Sequence, residues 1–317
     1  MNWDKPRSYA VKHKDTNVVN ASRSGGVFTA ISDYVLNLNG IVYGCILSDS
    51  NEAVHIRTDN VSDRNLMRGS KYIQSKLGDT FILVRRDLDE GKLVLFSGTS
   101  CQVAGLLSFL GNSNHNLITL DIVCHGVPSP LVWQHYLKFQ EKRNGSRVKK
   151  IDFRNKIDFG WRNHIETLWF ENGVKNNSDI FKNIFYGHWI LRPCCYECHY
   201  KSLKHPSDIT IADYWGVENA APEFDDNKGV SLVLINSDIG EHIFSKIGNS
   251  IIFKETDIEK SMQPPLKGSF DRPRDRDIFW NDFYNKRFSY ISKKYGGDNF
   301  INKIKKKKRA LKKALLK

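Results

Sequence analysis

The sequence predicts an α/β fold, a mixed sheet with a parallel β-α-β unit, plus a second α+β part that carries a C-x-x-C loop. Three observations predict it. Residues 92–97 (KLVLFS) form a nearly continuous apolar strand, Gly98-Thr99-Ser100 turns into a helix over 101–110, and residues 116–123 (NLITLDIV) form a second apolar strand. That order requires a parallel pair with a right-handed crossover. Residues 148–154 and 166–171 read as paired strands and open the second part. Residues 208–215 alternate as a strand that runs straight out of the loop holding Cys195 and Cys198. The expected division is 1–145, then 146–262, then a basic C-terminal extension over 263–317.

The remaining elements follow in order. In residues 22–39 (SRSGGVFTAISDYVLNLN), Val27, Ile31, Val35 and Leu38 fall at helical spacing, with Gly40 as a stop. This helix opens on Ser24-Gly25-Gly26, where small residues bare backbone N–H groups that suit a phosphate or simply cap the helix. Residues 40–47 (GIVYGCIL) are a buried strand whose Cys45 reads as structural, and 53–58 alternate as another strand. Residues 67–75 (MRGSKYIQS) form a polar loop with two cations and an aromatic, fit for a phosphate or a flat ring, or merely solvated. Ser129 caps a helix over 130–143 with Pro130 at its first position. A short aromatic helix is expected over 181–191, strands over 208–212 and 230–236, a helix over 238–249 and a strand over 251–255. From Met262 onward the pattern assigns no element.

Composition removes several function classes. The chain has 317 residues, 40% of them hydrophobic, enough for a sizeable core. No apolar run approaches the ~18 residues that cross a bilayer, and the first residues lack a signal peptide's apolar core. These features place the protein in the cytoplasm, where thiols stay reduced and six cysteines point to metal or catalysis before disulfides. The net charge is +13, and nine cations lie in KIKKKKRALKKALLK (303–317), leaving +4 for the other residues. The excess belongs to the tail and is no nucleic-acid footprint. The tail reads either as a basic amphipathic helix, making peripheral membrane contact at anionic lipid, or as a solvated terminus.

The cysteines carry the chemistry. A C-x-x-C turn sets two sulfurs on one side, where a soft metal takes both, and two thiolates seldom complete a site. Cys101 and Cys124 lie just past the carboxyl ends of neighbouring parallel strands, where open α/β sheets place their chemistry. Cys101 also starts a helix, which favours its thiolate.

Taken in this order and spacing, SRSGGVFTA, RGSKYIQS, LFSGTSCQVAG, DIVCHGVPSP, LRPCCYECHYK, SDITIADYWG and DDNKGVSLVLINS resemble the coenzyme F420 hydrogenase/dehydrogenase beta-subunit family, over roughly residues 9–247. The resemblance implies an iron–sulfur flavoprotein oxidoreductase that passes electrons between one [4Fe-4S] cluster, FAD and a second redox partner. By the same resemblance Cys101, Cys124, Cys195 and Cys198 are the cluster ligands, with Cys194 a competitor of Cys195. Residues 1–145 then hold the flavin through Ser24, Gly25, Gly26, Thr29, Ser70, Lys71, Tyr72 and Gln74. The sequence lacks the N-terminal ferredoxin-like C-x-x-C-x-x-C-x-x-x-C-P run of many relatives, so the expected donor is a separate ferredoxin-like or other redox protein. His125 and Asp213 are candidate proton sources for reducing an unknown small-molecule substrate. Bacterial relatives often accompany polysaccharide-synthesis genes; use of F420 stays open. The rival readings are a four-cysteine zinc module and a cofactor-free interaction protein of a cell-surface polysaccharide pathway.

Overall fold

The computed structural model describes residues 2–111 and 114–299. Its main feature is an eight-stranded mixed sheet. In chain order the strands are β1 (Asn2–His13), β2 (Ile41–Leu47), β3 (Ala53–Thr58), β4 (Val94–Thr99), β5 (Leu117–Ile122), β6 (Val148–Asp152), β7 (Glu166–Phe170), β8 (Lys175–Ser178), β9 (Ile209–Asp213), β10 (Ser231–Ser237) and β11 (Ile251–Thr256). The large sheet runs β11-β1-β10-β9-β5-β4-β2-β3, and β6-β7-β8 form a separate antiparallel sheet. β2, β4, β5 and β9 are parallel, and antiparallel strands flank them on both sides. The fold is therefore α/β, and the β4-helix-β5 unit is parallel as the apolar runs require.

Alternation along the central strands explains the layering. Val42 and Leu95 face one core with Val27, Ile31 and Val35 of the helix Val27–Asn37. Ile41, Tyr43, Val94 and Phe96 face the opposite core, under the helices Thr80–Asp89 and Ser100–Leu110. With both faces covered, such strands read as continuous apolar runs. The small sheet packs against the helices Pro130–Asn144, Ile180–Tyr186, Arg276–Asn285 and Phe288–Lys294 through an aromatic core. The large sheet takes strands from both sides of residue 145, since β9, β10 and β11 join β1 in it.

Several elements escape the sequence pattern. β1 is interior to the sheet, between β10 and β11, although its first half is charged and a register shift falls between Asn2 and Arg7. The helix Thr80–Asp89 and the helices after Met262 likewise carry no clear pattern. The basic tail 303–317 lies outside the described residues.

Candidate functional site

The cysteines sit where the central parallel strands end. Cys101 is the second residue of the helix Ser100–Leu110, whose start is fixed by a capping box between Thr99 and Gln102. Gln102 also donates to Ser75 Oγ at 2.8 Å, which ties this helix to the loop 67–75. Cys124 follows β5, and Gly126 comes two residues later with φ +134°. A Cβ there would meet Leu191 at 3.0 Å and the Cys195 Cβ at 3.6 Å, so glycine lets the C-x-x-C segment close on this turn. The Val127 N–H donates to Cys195 Sγ at 3.4 Å, and Ser269 Oγ accepts from the Cys198 N–H at 3.0 Å.

Electrostatics show that these thiols share one neighbourhood. Burial pushes the Cys124 thiol up to about 12, and Cys101 and Cys195 add to the rise. Burial also raises Cys195, with Cys194 and Cys198 contributing. The Lys201 ammonium, lowered by burial, is drawn back up by Cys124, Cys198 and Cys195, and it donates to the His125 carbonyl at 2.9 Å. Cys101 and Cys194 are exposed, Cys124 and Cys198 half-buried, and Cys195 buried. Among the described residues no three metal-ligating side chains close on a single ion.

A cavity of about 1530 Å³ adjoins the cysteines, and Cys101, Cys124, Cys194 and Cys195 lie in its wall. Cys198 does not; it stands behind, against Ser269. Of the residues proposed for the flavin, Ser24, Gly26, Ser70, Lys71, Tyr72 and Gln74 line the same cavity, and Gly25 and Thr29 do not. The Gly25 N–H is bound to Ser231 Oγ at 3.0 Å, and a Cβ there would strike the Val11 carbonyl at 2.2 Å. Thr29 is buried and accepts from Arg68 Nε at 3.0 Å. Gly26, at φ +92°, begins the helix Val27–Asn37 with no side-chain cap, and the buried Ser22 Oγ beside it has no partner. The first residues of this uncapped helix, Gly26, Val27 and Phe28, thus line the cavity. Lys71 donates to the carbonyls of Leu66, Met67 and Arg68, which spends its three protons on ordering the loop.

The two candidate proton sources are both in the wall. Burial, His188 and Lys201 drive His125 down to about 3, so the ring is neutral, and its Nε2 lies 2.8 Å from His188 Nε2. Asp213 uses both oxygens, accepting from Trp161 Nε1 at 2.7 Å and from Arg154 Nη1. Sequence reasoning missed the groups around Asp213. Arg23 and Arg154 line the cavity with Tyr72 and Tyr186, and His164 Nδ1 sits 3.1 Å from the Tyr186 hydroxyl. No short motif marks them, because they come from separate elements.

The comparisons fit this geometry. The family described as the C terminus of the coenzyme F420 hydrogenase/dehydrogenase beta subunit matches residues 91–261, just over half of the chain. The chain belongs to this family. The match spans the β-α-β unit, all four proposed ligand cysteines and β9 to β11. A chain of the F420-reducing [NiFe] hydrogenase complex from Methanosarcina barkeri has the same fold, with a TM-score of 0.53 and 19% identity over 82% of this chain and 84% of that one. No curated protein matches. Membership makes this an oxidoreductase-type beta subunit with a redox role.

Proposed function

We propose that the chain is an iron–sulfur flavoprotein oxidoreductase, with one [4Fe-4S] cluster held by Cys101, Cys124, Cys195 and Cys198 and FAD in the adjoining cavity. The observation that carries this reading is the convergence of four thiols, from two strand ends and one C-x-x-C loop, beside a cavity whose wall includes the first residues of an uncapped helix. The donor set fits iron, since thiolates are the ligands of iron–sulfur clusters. Metal binding deprotonates its thiol ligands, and it would offset the burial that now holds Cys124 and Cys195 protonated. The cavity exceeds the usual range of about 300–1,000 Å³ for a drug-sized ligand, which leaves room for a dinucleotide and a small substrate together.

When bound, the two groups together supply the exchange between one-electron and two-electron chemistry. The chain's own residues do the rest. Gly26 and Arg68, both in the cavity wall, would hold the pyrophosphate of FAD, and Tyr72, packed on Phe153, His164 and Phe185, would help hold its ring system. Lys201 sets a cation beside Cys124, Cys195 and Cys198, and would tune the potential of a cluster held there. A ferredoxin-like or other redox protein supplies electrons, and the substrate is a small molecule held in the cavity. The test is anaerobic purification with iron, sulfide and flavin assays. The expected result is about four iron and one FAD per chain; one zinc per chain without flavin overturns it.

A further inference from the structure

We propose that the face formed by the C-terminal end of the helix Pro130–Asn144, strand β6 and the helix Phe288–Lys294 is a docking surface for an anionic lipid bilayer. It carries more positive charge than its own carboxylates absorb. Lys138, Lys142, Arg147, Lys149 and Lys150 are exposed, as are Arg287 and Lys293 on the adjoining helix segment, and none of the seven enters an ion pair among the described residues. Arg143 and Lys294 are paired, with Asp298 at 3.0 Å and Asp282 at 2.7 Å. Glu141 turns inward to accept from the Val148 N–H at 3.1 Å. Glu171, whose N–H reaches the Arg147 carbonyl, sets one exposed carboxylate against the seven cations.

The elements are contiguous. Phe139 meets Phe288 at 5.4 Å, and the Arg143 guanidinium lies 6.0 Å from the Phe139 ring. Tyr290 stands on the helix Phe288–Lys294, 41% exposed, and Tyr284, 68% exposed, on the preceding helix Arg276–Asn285. Amphipathic rings of this kind favour the headgroup level of a membrane. The chain also leaves its described part here, since Asp298 is held by Arg143. Its sequence continues to residues 303–317, which hold nine cations, Leu311, Leu315 and Leu316, and no acid.

Cations combined with apolar side chains suit a bilayer, where anionic headgroups meet the former and hydrocarbon the latter, whereas a polyphosphate rewards the cations alone. The same face holds part of the cavity's rim, through Lys138, Glu141 and Arg147. None of this depends on which cofactors the protein carries, so iron and flavin assays report separately on the redox reading.

Co-sedimentation of the full-length chain with vesicles tests the proposal. With about one third phosphatidylglycerol, binding should exceed that to phosphatidylcholine alone by about ten-fold or more and fall steeply with added salt. The full-length variant Lys142→Glu/Arg147→Glu/Lys149→Glu/Lys150→Glu, with its tail intact, should lose about ten-fold in affinity. Tyr290→Ser should lose about three-fold, including the part that survives high salt. These side chains are exposed, and an unchanged circular dichroism spectrum checks the fold. Wild-type binding by the charge variant, equal binding to both vesicle types, or tighter binding to a duplex oligonucleotide than to anionic vesicles at the same salt overturns the proposal.

Discussion

The stretch of cavity wall around the cysteines and the stretch around Arg154 bury polar groups in different ways. Cys124 and Cys195 each meet a backbone N–H, from Gly126 and Val127, and otherwise sit protonated among other thiols. Around Arg154 the groups satisfy one another: Asp213 binds Trp161 and Arg154, and Arg23 donates to the Arg154 and Trp161 carbonyls. Only the Nε of each arginine is left over. On the proposed reading the sulfur stretch is where a ligand binds, whereas the guanidinium stretch is mostly satisfied from within the chain. A buried polar group marks a binding site when its partners are missing, and marks architecture when they are present.

Substitutions should separate the two stretches, and the largest effect belongs to the sulfurs. Cys124→Ala and Cys195→Ala are each expected to reduce bound iron to below about one tenth of wild type while the chain stays folded. Iron per chain and a circular dichroism melt read both halves of that statement. Retained iron would move these cysteines into the scaffold class.

Asp213→Asn should do the reverse. It leaves buried guanidinium charge uncompensated, at a cost of about 3–5 kcal/mol, read from the shift in a urea midpoint. Iron content in the folded fraction should not change.

A pH series sharpens the contrast further. Lys156, buried against the Val19 and Ser24 carbonyls, is lowered by that burial to about 8 from its ordinary 10.5. Between those values the folded state has lost a proton that the unfolded state keeps, so stability should rise with pH across that window. Lys156→Met should flatten the rise; a slope that persists in the variant assigns it to other groups. The smallest effect is expected for the exposed Cys194→Ser, with iron unchanged and stability within about 0.5 kcal/mol. Loss of iron there would make Cys194 the ligand in place of Cys195.

The parts that could be read in the sequence share a physical cause. The β4-helix-β5 unit announces itself because strands covered on both faces must be apolar throughout, and the cysteines stand out by type and by their places after strand ends. β1 hides because Asp4, Lys5 and Arg7 lie in its exposed, irregular first half, while Tyr9, Ala10 and Val11 alone mark it as interior. Gly25 and Thr29 fall in with their cavity-lining neighbours because a motif preserves chain order and says nothing of which way each residue points. Arg23, Arg154, His164 and Tyr186 give no signal, since their meaning lies in a meeting of separate elements.

The position of β1 has a consequence for how the chain is made. Tyr9 pairs with Val233 on one side and with Glu255 on the other. As the chain emerges from the ribosome, its first strand waits for more than two hundred residues before either neighbour exists. The parallel centre of the sheet has local partners and can gather first, whereas the N-terminal strand docks last, because contacts so distant in sequence form slowly. Its late insertion carries Val11 against Gly25 and fixes the start of the helix Val27–Asn37. The pocket wall built on that helix is therefore completed only once β10 and β11 have been made.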